Sequence, residues 1–164
     1  MLTKSQLELL ARFEDDYTHV ESDEELWALL GQVDSAVQLH YLPLILNWDS
    51  GWTEKIVEWI LKHPLCDAGT ALSIYWLMEP QFWKKQELTG NIQTWARNGY
   101  SLHQKCEELY KSGKYSEGVI FFNPRDGTYL PEDPVEDSSI ERLIPDRLKQ
   151  PTPGMEVPEY YSLK

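Results

Sequence analysis

The residues of this 164-residue chain whose types could do chemistry are four histidines, two cysteines and several runs of adjacent carboxylates. His19, His40, His63 and His103 are scattered, and no HExxH, CxxC or Cys/His cluster brings them to metal-ligand spacing. No metal or cofactor is therefore expected. Cys66 lies three residues after His63 and just before a helix start, where a thiol pKa would fall. Pro64 and Leu65 turn the chain between them, so a packing cysteine is the expectation. No GxSxG, SxxK or glycine-rich phosphate loop is present. The carboxylate runs Glu14-Asp15-Asp16 and Asp23-Glu24-Glu25, with Glu21, read as solvated helix faces. General acid–base work needs two carboxyls facing each other across a cleft with separated pKa values. Asp49 and Asp67 each sit beside a helix start, where capping explains them. Catalysis is not expected. A binding role for Glu14, Asp15, Asp16, Glu21, Asp23, Glu24 and Glu25 is.

The elements that must position these residues follow from hydrophobic period and punctuation. Leu7, Leu10, Phe13 and Tyr17 predict a helix over 5–17, with Ser5 as its cap. Ser22-Asp23-Glu24-Glu25 is a capping box for a helix over 23–30, which Gly31 ends. A third helix spans 35–46, with Pro43 bending it. Asn47-Trp48-Asp49-Ser50-Gly51 is a turn cluster. A fourth helix covers 52–63, and a fifth runs from its Asp67 N-cap to about Glu79. Residues 80–90 form a linker or short helix. The pattern over 91–112 is helical, with Asn98-Gly99 as a break and Ser101 capping the second half. Val119–Phe122 is the one strong strand signal, and Asp126-Gly127 could turn it into a second strand over 128–130. Beyond residue 130 the prolines predict extended chain, with one or two helical turns over 140–148.

The fold class expected is mainly α: an irregular array or bundle of helix hairpins, a short β-hairpin near 119–130 and an extended proline-rich C-terminal tail. Residues 1–130 would form a single helical domain and 131–164 an extension packed on it or trailing from it. All seven tryptophans lie between Trp27 and Trp95, while seven of ten prolines follow residue 120.

Net charge is −12, with −6 carried by residues 1–30 and −4 by residues 131–164. Such a surface repels phosphate, which disfavours nucleic acid and anionic membranes as partners. No apolar run reaches the roughly 18 residues of a membrane-spanning helix. Neither does a basic segment followed by an apolar one open the chain. A cytoplasmic location with reduced cysteines is expected.

Leu39-His40-Tyr41, Asn47-Trp48-Asp49-Ser50-Gly51-Trp52 and Cys66-Asp67-Ala68-Gly69-Thr70-Ala71-Leu72-Ser73-Ile74-Tyr75 carry a resemblance. Residues 35–124 resemble a bacterial domain-of-unknown-function family with an NWD-G turn followed by CD-GTAL. The resemblance implies no catalytic residues. It does imply an immunity-like role, because members tend to occur near polymorphic toxins.

The expectation is a non-catalytic binding protein that neutralises a cognate, basic toxin through an acidic surface. A general interaction or structural module is the alternative. A third reading is an enzyme built around Trp48, Asp49, His63 and Cys66.

Overall fold

The computed structural model describes residues 2–15, 20–126 and 138–163; the side chains of Asp15 and Ser138 are outside that description. Among the described residues eight α-helices follow one another. They are α1 (Lys4–Asp15), α2 (Asp23–Leu30), α3 (Ala36–Ile45), α4 (Thr53–Lys62), α5 (Ala68–Leu77), α6 (Pro80–Thr89), α7 (Arg97–Lys111) and the single turn α8 (Ser138–Glu141). Short 3₁₀ turns occupy Thr94–Ala96, Asp146–Lys149 and Tyr160–Leu163. The described chain is thus mainly helical.

It divides into two compact units, Met1–Cys66 with Val157–Lys164, and Asp67–Glu156. In the first unit α1 packs on α3. Leu10, Phe13, Leu26, Leu30, Leu39 and Leu42 are among its fully buried side chains. Ser22 caps α2 by accepting the Glu25 N–H, and Ser35 caps α3 by accepting the Gln38 N–H. Pro43 sits inside α3, whose every residue from Gln38 to Pro43 is buried. The Tyr41 hydroxyl donates to the Pro158 carbonyl at 2.6 Å, and its ring lies 5.8 Å from that of Tyr160. These contacts tie the C-terminal residues into this unit.

In the second unit α5 is the hub. Its residues Ala68 to Trp76 are all buried, so it carries no polar face. It packs on α7 and α6. Glu79 takes the left-handed conformation (φ 54°) and turns the chain so that Pro80 opens α6. The Trp76 indole N–H donates to the Leu148 carbonyl at 2.8 Å.

Three expectations differ from what is observed. Among the described residues there is no sheet and no β-hairpin over 119–130. Ile120 instead bridges Met155 in parallel, and Phe122 bridges Thr152 antiparallel. The 128–130 arm of the expected hairpin lies outside the described residues. The strand-forming segment found its partner about thirty residues downstream, because the Ile120 peptide is held from both sides by glycines, as described below. Second, the helix expected over 91–112 begins only at Arg97, after a 3₁₀ turn over Thr94–Ala96, and Asn98-Gly99 lie in its first turn instead of breaking it. A lone glycine costs a helix only about 1 kcal/mol, and α7 recovers that through buried Leu102, His103, Cys106 and Tyr110. Third, Thr3 rather than Ser5 punctuates the start of α1. The Thr3 hydroxyl accepts the Gln6 N–H while the Gln6 side chain accepts the Thr3 N–H. Downstream, α8 and the 3₁₀ turn Asp146–Lys149 fall where one or two helical turns were expected, while the 3₁₀ turn Tyr160–Leu163 lies in a part expected to be extended.

Candidate functional site

The start of α2 gathers four of the acidic residues singled out in the sequence. Glu21, Asp23, Glu24 and Glu25 are all exposed. Their local order is explained by capping. The Glu25 carboxylate accepts the Glu21 N–H at 2.9 Å, while the Glu25 N–H donates to Ser22 Oγ at 3.2 Å. The carboxylates of the first turn also face the positive end of the helix dipole. Asp23 pairs with Lys55 at 2.6 Å, and that ammonium lies 4.8 Å from the centre of the Trp52 ring. Trp27 is 41% exposed on the same helix. It falls one turn after Asp23 and Glu24, on their side of α2. Glu14 is half-buried on α1, Asp15 closes α1, and Asp16 lies outside the described residues.

The NWD-G turn is a stitched corner. The Asn47 side chain accepts the Asp49 N–H, and Thr53 Oγ1 donates to the Asn47 carbonyl at 2.6 Å. The Trp48 indole donates to the Pro43 carbonyl at 3.0 Å. His63 packs against Trp59 with ring centroids 4.6 Å apart and planes tilted by 46°, and its Nδ1 accepts the Leu65 N–H. Burial lowers its pKa. Cys66 is buried and, like Cys106, forms no disulfide. Trp48, His63 and Cys66 are thus each engaged in the turn or the core, while Asp49 takes part in the turn through its backbone N–H and is exposed. Among the described residues no group of three or more His, Cys, Asp or Glu side chains is placed to hold a metal ion.

The CD-GTAL stretch does its work through one buried carboxylate. Asp67 Oδ1 accepts the Thr70 N–H at 3.0 Å and so caps α5. Its Oδ2 accepts the Ile120 N–H at 2.7 Å. Beside it the Ala68 N–H donates to the Ser116 carbonyl at 2.8 Å. A Cβ on Gly69 would sit 2.2 Å from the Ile120 carbonyl oxygen, and one on Gly154 would sit 2.5 Å from the Ile120 carbonyl carbon. The Ile120 peptide is therefore clasped between two glycines, with a carboxylate on its N–H.

Sequence reasoning missed the polar cluster between α5, α6 and α7. Lys84 is nearly buried and pairs with Glu107 at 2.9 Å and with Glu87 at 3.4 Å. Tyr75 donates its hydroxyl to Glu107 at 3.0 Å. His103 is fully buried, stacks on Tyr75 at 4.9 Å and lies 6.2 Å from Trp83. Neither of its ring nitrogens has a hydrogen-bond partner among the described residues. Burial pushes its pKa down to about 4, with Lys84 acting in the same direction and Glu107 against it. Burial and Glu107 together raise the Tyr75 pKa far above the ordinary phenol value. The sequence signal was present: His103 and Glu107 stand four apart, on one face of α7. Only the packing of α6 showed that Lys84 completes the group.

The fold and these sites define a helical protein whose recurrent motifs serve as caps and clasps, with an acid face on one unit and a buried ion network in the other. Residues 34–110 match the family described as a domain of unknown function, DUF4274. The match takes in the NWD-G corner, the CD-GTAL stretch and the Lys84–Glu107 cluster, and ends before Ile120 and Gly154. No curated protein and no solved structure matches the chain. No described helix is long and apolar enough to cross a membrane.

Proposed function

We propose that this chain is a non-catalytic binding protein that engages a basic protein partner through the start of α2. The observation that carries this reading is the grouping of exposed Glu21, Asp23 and Glu24 beside the half-exposed Trp27. An anionic rim steers a cationic partner and sets its register. A neighbouring tryptophan supplies the kind of anchor that dominates interface energetics. Lys55 offsets the charge of Asp23 alone, in a half-exposed pair worth under about 1 kcal/mol. Glu14, Asp15 and Asp16 are the remaining carboxylates proposed for the partner-binding surface. The family resemblance makes a cognate toxin the expected partner, neutralised by direct binding in the cytoplasm.

The test is titration of the purified chain with the protein encoded by the adjacent gene, by calorimetry at low and high salt. Complex formation that weakens with salt is expected, together with inhibition of the partner's activity. Glu21→Lys with Glu24→Lys weakens binding at least about tenfold, and so does Trp27→Ala. Absence of a complex rejects the partner. A complex indifferent to all three substitutions rejects the site.

A further inference from the structure

His103 is an anomaly in a well-packed core. A buried ring nitrogen without a partner costs roughly 1–3 kcal/mol, and a native protein that keeps one has usually put it to use. Phe or Leu at the same position would stack on Tyr75 without that cost.

Its surroundings show what a proton on this ring would do. On α7, Glu107 stands one turn beyond His103, at the i+4 spacing where an imidazolium and a carboxylate pair. At neutral pH that carboxylate is committed to Lys84 on α6 and to the Tyr75 hydroxyl on α5. Lys111 is a looser neighbour, 3.8 Å from its other oxygen. Also on α7, the Cys106 thiol donates to the Ala71 carbonyl, and Tyr100 donates to Glu87 of α6. The remaining neighbours are engaged elsewhere. On α8, which packs on α6, Glu141 pairs with Arg125 at 3.0 Å. In the 3₁₀ turn packed on α7, Arg147 lies over the Tyr110 ring and beside Glu117.

We propose that the corner of α5, α6 and α7 is an acid-operated latch, in which protonation of His103 draws Glu107 away from Lys84 and releases α6. A buried imidazolium demands a counter-charge, and Glu107 is the carboxylate within its reach on α7. Lys84, nearly buried and now facing a second cation, loses its strongest partner. Glu87, one turn away on its own helix, holds it only within α6. The Lys84–Glu107 pair is the buried fastening between α6 and α7, and the exposed Tyr100–Glu87 hydrogen bond is the weaker tie that remains, so α6 moves away and uncovers the rings of Tyr75 and Trp83. This device belongs to Asp67–Glu156 and is independent of the acid face on α2.

The full chain labelled with 5-fluorotryptophan tests this by ¹⁹F NMR, with the Trp83 signal assigned through Trp83→Phe. On acidification the Trp83 resonance is expected to shift with a midpoint within about one unit of pH 4, in step with the His103 ring signals. The Trp27, Trp48, Trp52 and Trp59 resonances stay in place over the same range. In His103→Phe the Trp83 shift is lost. In Lys84→Met the Trp83 resonance already lies near its acid position at neutral pH, because the pair that fastens α6 is absent. The proposal is overturned if Trp83 moves in His103→Phe or if its shift does not follow the His103 titration. It also fails if all tryptophans move together as in unfolding, or if Lys84→Met leaves Trp83 at the parent's neutral-pH position.

Discussion

Asp67 reaches Ile120 across fifty-three positions of sequence, its Oδ2 accepting the Ile120 N–H at 2.7 Å while its Oδ1 caps α5. One buried carboxylate therefore both starts the central helix of its unit and fixes the segment laid against it. Asp67→Ala removes an N-cap worth about 1 kcal/mol and strands a buried N–H whose bond to a charged acceptor is worth roughly 1.5–3. A loss of about 2–4 kcal/mol is expected in urea unfolding. Asp67→Asn can keep the cap but turns an amide NH₂ toward the Ile120 N–H, so it recovers only part of that loss. A full recovery would show that the charge and the second acceptor are dispensable.

Gly69 and Gly154 are required for space. A methyl at 69 meets the Ile120 carbonyl oxygen, and one at 154 meets the Ile120 backbone at a φ of +151° that disfavours a side chain. Gly69→Ala and Gly154→Ala are each expected to cost at least about 2 kcal/mol. Gly51→Ala is the control, because nothing lies within 4 Å of its added Cβ. It should stay within about 0.5 kcal/mol of the parent. Equal thermal midpoints for the three variants would contradict the clasp.

Glu79 holds a left-handed φ of 54° and makes no side-chain cap bond. Glu79→Gly relieves the steric cost that a side chain meets there, roughly 1–2 kcal/mol, against a smaller loss of chain entropy. A net gain of about 0.5–1 kcal/mol is expected in the denaturation midpoint. Glu79→Ala should give no such gain, which separates backbone relief from charge removal.

Stability should fall with acid in a particular window. His103 has its folded-state pKa lowered to about 4 by burial, against an ordinary value of 6.5. Above pH 6.5 neither the folded nor the unfolded chain binds the proton, and the folded state bears no penalty. As pH falls from 6.5 to 4 the unfolded chain takes the proton and the folded chain does not, so stability drops. The difference amounts to about 3 kcal/mol once both states are protonated. Unfolding free energies at pH 7 and pH 4.5 should differ less in His103→Phe than in the parent. Identical slopes in the two proteins would mean that the ring is solvated in the native state.

The extent to which the fold was legible tracks how local each cause is. Ser22 and Asp67 cap helices through N–H groups three residues away, so their roles stood in the sequence, while Ser35, read as the first residue of its helix, is its cap. Gly113, just past the Ser112 C-cap of α7, takes the left-handed conformation that glycine favours at a helix end. Val119–Phe122 was recognised as strand-like, but its pairing was assigned to the nearest turn. The real partners, Thr152 and Met155, are chosen by the close approach that Gly69 and Gly154 permit. The acid face was legible because charge along one helix start is a local pattern. The latch was not: His103, Lys84, Glu107 and Tyr75 come from three helices, and each alone has an ordinary explanation.

The sequence by itself determined the helices, their caps, the acidic start of α2 and the lack of a recognised catalytic motif. Propensity, capping and hydrophobic period act within a turn or two of chain, which is why those features needed nothing else. Tertiary structure alone decided that Asp67 has a second acceptor role, that Ile120 lies between two glycines, and that His103 is left without a hydrogen bond beside a buried ion pair. Those are properties of desolvation and close approach, which exist only once helices far apart in sequence have excluded water between them.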